Sequence, residues 1–122
     1  MYNGRMEIIR QSETTAHRTN DTTKILEQVD FEDGIINSAL IAISGRYPET
    51  GYTFNMTSTA MVNIEEGFGK FTIKDQRPID LGVGDYVLIK PGEPYCFLAV
   101  GKLVIRYTAT PAWTSAQAKI IE

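Results

Sequence analysis

The chain has 122 residues, a formal net charge of −3, one cysteine and one histidine. This length allows one domain around one hydrophobic core, and a lone cysteine excludes a disulfide framework within the chain. Acidic and basic residues are scattered, with neither a basic stripe nor a basic amphipathic segment, which argues against nucleic acid and membrane surfaces as partners. The segment Met1 to Arg10 has no apolar run of signal-peptide length, and no run anywhere is long enough to span a bilayer. A cytoplasmic protein that handles a small molecule, or pairs with a second copy of itself, is expected.

The stretch from Met1 to Thr23 is polar and reads as an arm, with Met6 to Arg10 as a short edge strand within it. From Lys24 the texture changes to short apolar or alternating segments, each ended by glycine, proline or aspartate. Ile25 to Val29 and Ile35 to Ser44 are strands, and Ser44 to Gly51 is a glycine- and proline-bounded loop. Tyr52 to Ser58 then alternates large apolar with small polar residues at a period of two. Ala60 to Glu66 and Gly69 to Lys74 flank Glu66-Gly67-Phe68-Gly69, which reads as a hairpin turn. After a turn at Asp75 to Pro78 come the strands Tyr86 to Ile89, Tyr95 to Val100 and Lys102 to Ala109, the last two broken by Gly101. The tail, residues 111–122, mixes helix-favouring alanines with the extended pair Ile120-Ile121. Residues 24–110 form the barrel of a single domain spanning residues 1–122. Strands this short bury a face only by closing on one another, so the fold class is all-β, an antiparallel barrel or jelly roll.

The run Gly84-Asp85-Tyr86-Val87-Leu88-Ile89-Lys90-Pro91-Gly92-Glu93-Pro94-Tyr95 resembles the second conserved motif of the cupins: Gly-Asp, an apolar strand, a proline-glycine turn, then an inward histidine. Gly45 to Gly67 resembles the first motif in spacing but not in ligands. The resemblance covers about Ile35 to Ala109 and implies the antiparallel double-stranded β-helix (jelly-roll) barrel of that superfamily. It also places the family's metal ligands on Thr53, Asn55, Ala60 and Tyr95. None of these four is the imidazole or carboxylate that a transition metal takes in such a site. The resemblance therefore implies no metal and no cofactor in this chain.

If Thr53 and Tyr95 point into the barrel, alternation sends Asn55, Thr57, Phe97 and Ala99 inward as well. Val62, Ile64, Phe71, Ile73, Val87 and Ile89 then line the same space. The resulting ligand-binding set is Thr53, Asn55, Tyr95, Phe97, Val62 and Phe71, joined by Arg46 and Glu49 on the loop that the resemblance places at the barrel mouth beside Tyr47. An apolar chamber with a few converging polar groups has the composition of a small-ligand pocket, although small barrels are also filled solid. Tyr95 and Glu49 are the candidate acid and base should the site be catalytic. His17 reads as a solvated arm residue, Cys96 as a buried small hydrophobe facing away from Tyr95, and Glu65 and Glu66 as a strand end before a turn. Glu93 and Asp85 read as turn residues.

Tyr52, Phe54 and Met56 face out of the barrel and need a cover, either the tail through Ile120 and Ile121 or a second copy in a homodimer. Trp113 is a candidate lid. Three readings follow. The first is a metal-free binding protein holding a small organic molecule in the barrel. The second is a metal-independent enzyme of lyase, isomerase or cyclase type, and the third a structural dimer with a filled barrel.

Overall fold

The computed structural model describes residues 6–18 and 20–122. The nine strands are β1 (Thr15–Arg18), β2 (Thr23–Asp30), β3 (Asn37–Tyr47), β4 (Tyr52–Asn55), β5 (Thr59–Ile73), β6 (Ile79–Gly82), β7 (Tyr86–Ile89), β8 (Tyr95–Thr110) and β9 (Ala118–Ile121). All strand pairings among the described residues are antiparallel, and the sheet runs β1-β2-β3-β8-β4-β9, with β5 on the other edge of β8 and β6 and β7 on β5. The sheet curls into a half-barrel, the all-β architecture expected from the sequence.

The long strand β8 is the spine. It pairs with β5 from Tyr95 to Thr110 and with β3 along its other edge, while Thr53 of β4 pairs with Tyr95. Its inward residues Phe97, Ala99, Leu103, Ile105 and Ala109 are buried with Ile43, Val62, Ile64 and Phe71 in one core. Phe71 packs on both Tyr95 and Phe97, with ring centroids 5.6 and 5.0 Å away.

Ala60 to Glu66 and Gly69 to Lys74 do not form a hairpin. They are one strand, β5, bent by register shifts at Ile64/Glu66 and Gly67/Gly69. Glu65 is the extra residue of the first bulge, and it moves the inward positions from Val62 and Ile64 to Phe71 and Ile73. Gly67 has φ +76°, and a Cβ there would run into the Lys102 carbonyl oxygen, so this corner requires glycine. The glycines expected to break the chain into separate strands instead permit a continuous sheet to bend.

Other elements also differ from the sequence reading. Residues 6–10 are irregular, and the arm contributes β1 in their place. Strand β3 continues through Ser44 to Tyr47, shortening the loop to residues 48–51. The tail makes one 3-10 turn, Ser115–Gln117, and then pairs edge to edge with β4. It therefore extends the sheet, and of its residues Trp113 and Ile120 reach the inner face. Tyr52 lies under two cations, with the Arg46 guanidinium 5.4 Å and the Lys74 ammonium 5.5 Å from its ring centroid. Phe54 is half-buried and borders the cavity, which leaves Met56 as the exposed member of that stripe. Among the described residues no helix is long and apolar enough to cross a membrane.

Candidate functional site

The registers align inward side chains in rows across the sheet. One row runs His17, Ile25, Ile41, Ile105, Ile64, and the next runs Gln28, Ala39, Tyr107, Val62. A bulge in β2 between Ile25 and Glu27 sets these rows. Strict alternation from Thr23 and Ile25 would send Glu27 inward; the extra residue turns it outward and brings Gln28 into the cavity. Outside, Glu27 accepts hydrogen bonds from Gln11 at 2.9 Å and Arg106 at 3.2 Å, and those bonds hold its carboxyl below the usual range. A charge that would have entered the cavity is thus retained on the outer surface.

The cavity over these rows has a volume of about 360 Å³. Its wall is formed by Tyr47, Phe54, Tyr95, Phe97, Tyr107 and Trp113 together with Ile25, Ile41, Ile43, Ile105 and Ile120. His17 and Gln28 add polar groups, and no Lys, Arg, Asp or Glu lines it among the described residues.

Thr53, Asn55, Tyr95 and Phe97 all stand in this wall. Two of them are engaged within the chain. Thr53 Oγ1 donates to the Lys119 carbonyl at 3.1 Å. Asn55 Nδ2 donates to Gln117 Oε1 at 3.0 Å, and its Oδ1 accepts from the backbone N–H groups of Thr57 and Ser58, both at 2.7 Å. These residues anchor the tail that carries Trp113 and Ile120. Asn37 completes the anchor, since its amide bonds Asp30 Oδ1, the Trp113 carbonyl and the Trp113 N–H at 2.8–2.9 Å.

Val62 and Phe71 are buried in the core beneath the cavity and do not line it. Glu49 is exposed, and Arg46 spends its guanidinium on the Pro48 carbonyl at 2.9 Å and the Tyr52 ring, so neither reaches the cavity. Thr57 is exposed as well. Buried Cys96 is absent from the wall, as its position next to inward Tyr95 requires.

The sequence reading had His17 exposed, as it is, but missed its place beside the cavity. Pairing of β1 with β2 carries it to the mouth of the cavity. It also overlooked Tyr107, although Leu103, Ile105, Tyr107 and Ala109 alternate on β8. Tyr47, read as a rim residue, is the last inward position of β3.

The three tyrosines act on one another. Burial pushes the Tyr95 phenol well above its ordinary value, and the Tyr107 and Tyr47 phenols add to the shift. Burial and Tyr47 push Tyr107 up to about 12, and burial raises Tyr47 too. All three are therefore neutral hydrogen-bonding groups around pH 7 and poor bases.

A transition metal does not fit this wall. It offers one imidazole, no carboxylate and no thiol, and no three His, Cys, Asp or Glu converge anywhere among the described residues. Ala60, where the family motif would have its glutamate, is buried against β7 and has no donor.

No family model and no curated protein matches the chain in sequence. In structure it is similar to Pac13 from Streptomyces, a nucleoside dehydratase, at a TM-score of 0.76 and 13% identity over 97% of this chain and 92% of that one. Variants of that protein carrying a replaced histidine or tyrosine, each with uridine, give TM-scores of 0.79 at 13% and 14% identity over the same shares. The polyketide cyclase RemF from Streptomyces resistomycificus follows at 0.72 and 17% over 97% and 87%. Ectoine synthase from P. lautus is similar at 0.72 and 12% over 96% and 91%.

Two predictions follow from the wall. Asn55→Leu leaves the backbone N–H groups of Thr57 and Ser58 without their acceptor and removes one of the donors to Gln117 Oε1, at about 1–3 kcal/mol for the buried Ser58 N–H. Urea unfolding should show a loss of that order; an unchanged midpoint would contradict the anchoring role. For pH, an unfolded tyrosine ionises near 10 while folded Tyr107 holds its proton to about 12. Between those values the folded state binds more protons than the unfolded one, so stability falls as pH rises through that window. Tyr107→Phe should flatten this alkaline decline, and an equal slope in both proteins would contradict it.

Proposed function

The chain has the cupin fold, and on that footing we propose that its half-barrel binds a small, uncharged organic molecule bearing a ring. One observation carries this reading: a cavity of about 360 Å³ walled by six aromatic residues and isoleucines, with no Lys, Arg, Asp or Glu in it among the described residues. The volume falls in the range of small-molecule pockets. The rings offer flat apolar faces with hydroxyl or N–H edges, which suits a planar ligand with a polar substituent. A carboxylate or phosphate entering this wall would lose its hydration and find no cation. The space is open, which disfavours the reading of a filled structural barrel.

A second reading, that the bound molecule is also transformed without a metal, is favoured by His17 opening onto the same cavity as the three phenols. Imidazole is the side chain suited to moving protons near neutral pH. Glu49 is dropped from the proposed acid–base pair because it lies outside the cavity. The neighbours in fold include a nucleoside dehydratase and a polyketide cyclase, so loss of water and ring closure are the reaction types to try first. We also propose a homodimer, with the exposed cross-strand pair Met61–Leu88 and Tyr86 on strand β7 as its contact in place of Tyr52 and Phe54. A sedimentation mass of one chain at micromolar concentration would contradict that assembly.

Trp113 is the only tryptophan and stands in the wall, so its fluorescence reports on the cavity. Neutral 2-naphthol should quench it saturably and raise the melting temperature. The 2-naphthoate anion should bind more weakly by about ten-fold or more, as the cost of burying an unpaired charge requires. Equal binding of the two, or binding of neither, would contradict the reading.

A further inference from the structure

The three phenols do not contribute equally to the cavity. Tyr95 is buried behind Tyr107, and the two phenols influence each other electrostatically. Tyr107 itself is only half-buried and lines the cavity, so its hydroxyl is available to a ligand there. Among the described residues Tyr47 has no hydrogen-bond partner and no fully buried side-chain oxygen is without one, so its hydroxyl is open to the cavity space. Two phenols thus face a pocket without Lys, Arg, Asp or Glu, and the imidazole of His17 stands in the same wall.

We propose that Tyr47 and Tyr107 hold the carbonyl oxygen of an enolisable ring ketone while His17 exchanges the proton on the carbon beside it. This names the substrate class of the site and rests on the reading that the cavity binds a neutral ring molecule. The imidazole takes the C–H proton, that electron pair becomes the new C=C bond, and the C=O π pair moves onto oxygen. The products are an enolate and an imidazolium. Return of the proton to carbon restores the ketone. Where the next carbon carries a hydroxyl, the same electron pair expels it, and the imidazolium proton leaves with it as water.

The phenols suit this task because they stay protonated. Burial holds Tyr107 up to about 12, so it is a donor throughout the neutral range and cannot act as a competing base. Donors already fixed in a water-poor wall stabilise a developing oxyanion more than water does, because they need no reorganisation. The absence of carboxylates from the wall matters equally, since a neighbouring anion would oppose the enolate.

The test uses 2-tetralone in deuterated buffer, with proton NMR following exchange beside the carbonyl and Trp113 fluorescence following binding. The wild-type protein should accelerate exchange over buffer containing the same concentration of free imidazole. His17→Ala should remove the acceleration. Tyr107→Phe, or Tyr47→Phe where the first variant does not fold, should slow exchange about 100-fold while tetralone still binds, the scale of losing one oxyanion donor. Tetralone bound but exchanging at the buffer rate overturns the proposal and leaves the binding reading intact. So do variants that exchange like wild type, or a protein that binds 2-naphthol but not tetralone. Failure of both probes to bind overturns the binding reading as well.

Discussion

A β-strand sends successive side chains to opposite faces, so one extra residue reverses every side chain beyond it. In this sheet the extra residues decide what the cavity contains. The bulge in β2 keeps Glu27 outside with Arg106 and turns Gln28 inward. The bulge at Glu65 keeps both halves of β5 facing the core, delivering Val62 and Ile64 before it and Phe71 and Ile73 after it. Without those slips the wall would hold a carboxylate, and the Phe71 ring would not pack under Tyr95 and Phe97. The uncharged character of the cavity follows from this placement.

The tail depends on the same wall. The amides of Asn37 and Asn55, together with the Thr53 hydroxyl, spend their hydrogen bonds on residues 113–119, which fixes Trp113 and Ile120 against the cavity. Polar groups at positions where related barrels would place metal ligands are therefore anchors here, while the phenols and the lone imidazole remain turned to the interior. Structural and ligand-facing polar groups are segregated, the first satisfied within the chain and the second open to what enters.

Much of the fold was legible. Short segments bounded by glycine, proline and aspartate indicate a β-barrel, and the Gly84–Tyr95 run places Tyr95 at the start of an inward strand, where it lies. Alternation from Thr53 and Tyr95 reached Asn55 and Phe97 correctly. It failed where strands slip: Glu66-Gly67-Phe68-Gly69 carries the residues of a turn, yet the glycines serve close approach to β8. His17 was hidden for another reason. Its neighbours are polar, and its strand exists through pairing with β2, a contact that no local pattern announces. Arg46 and Glu49 looked functional because loops at a barrel mouth so often are, but Arg46 is held by Pro48 and Tyr52.

The central claim is that an uncharged ring molecule sits inside the half-barrel against the phenols. Intermolecular nuclear Overhauser contacts from bound 2-naphthol measure this directly. The account predicts contacts to the ring protons of Trp113, Tyr107 and Phe97, weakening as the ligand is competed away. Saturable binding with contacts confined to the exposed residues Met61, Tyr86 and Leu88 would place the ligand on the outer face and contradict it.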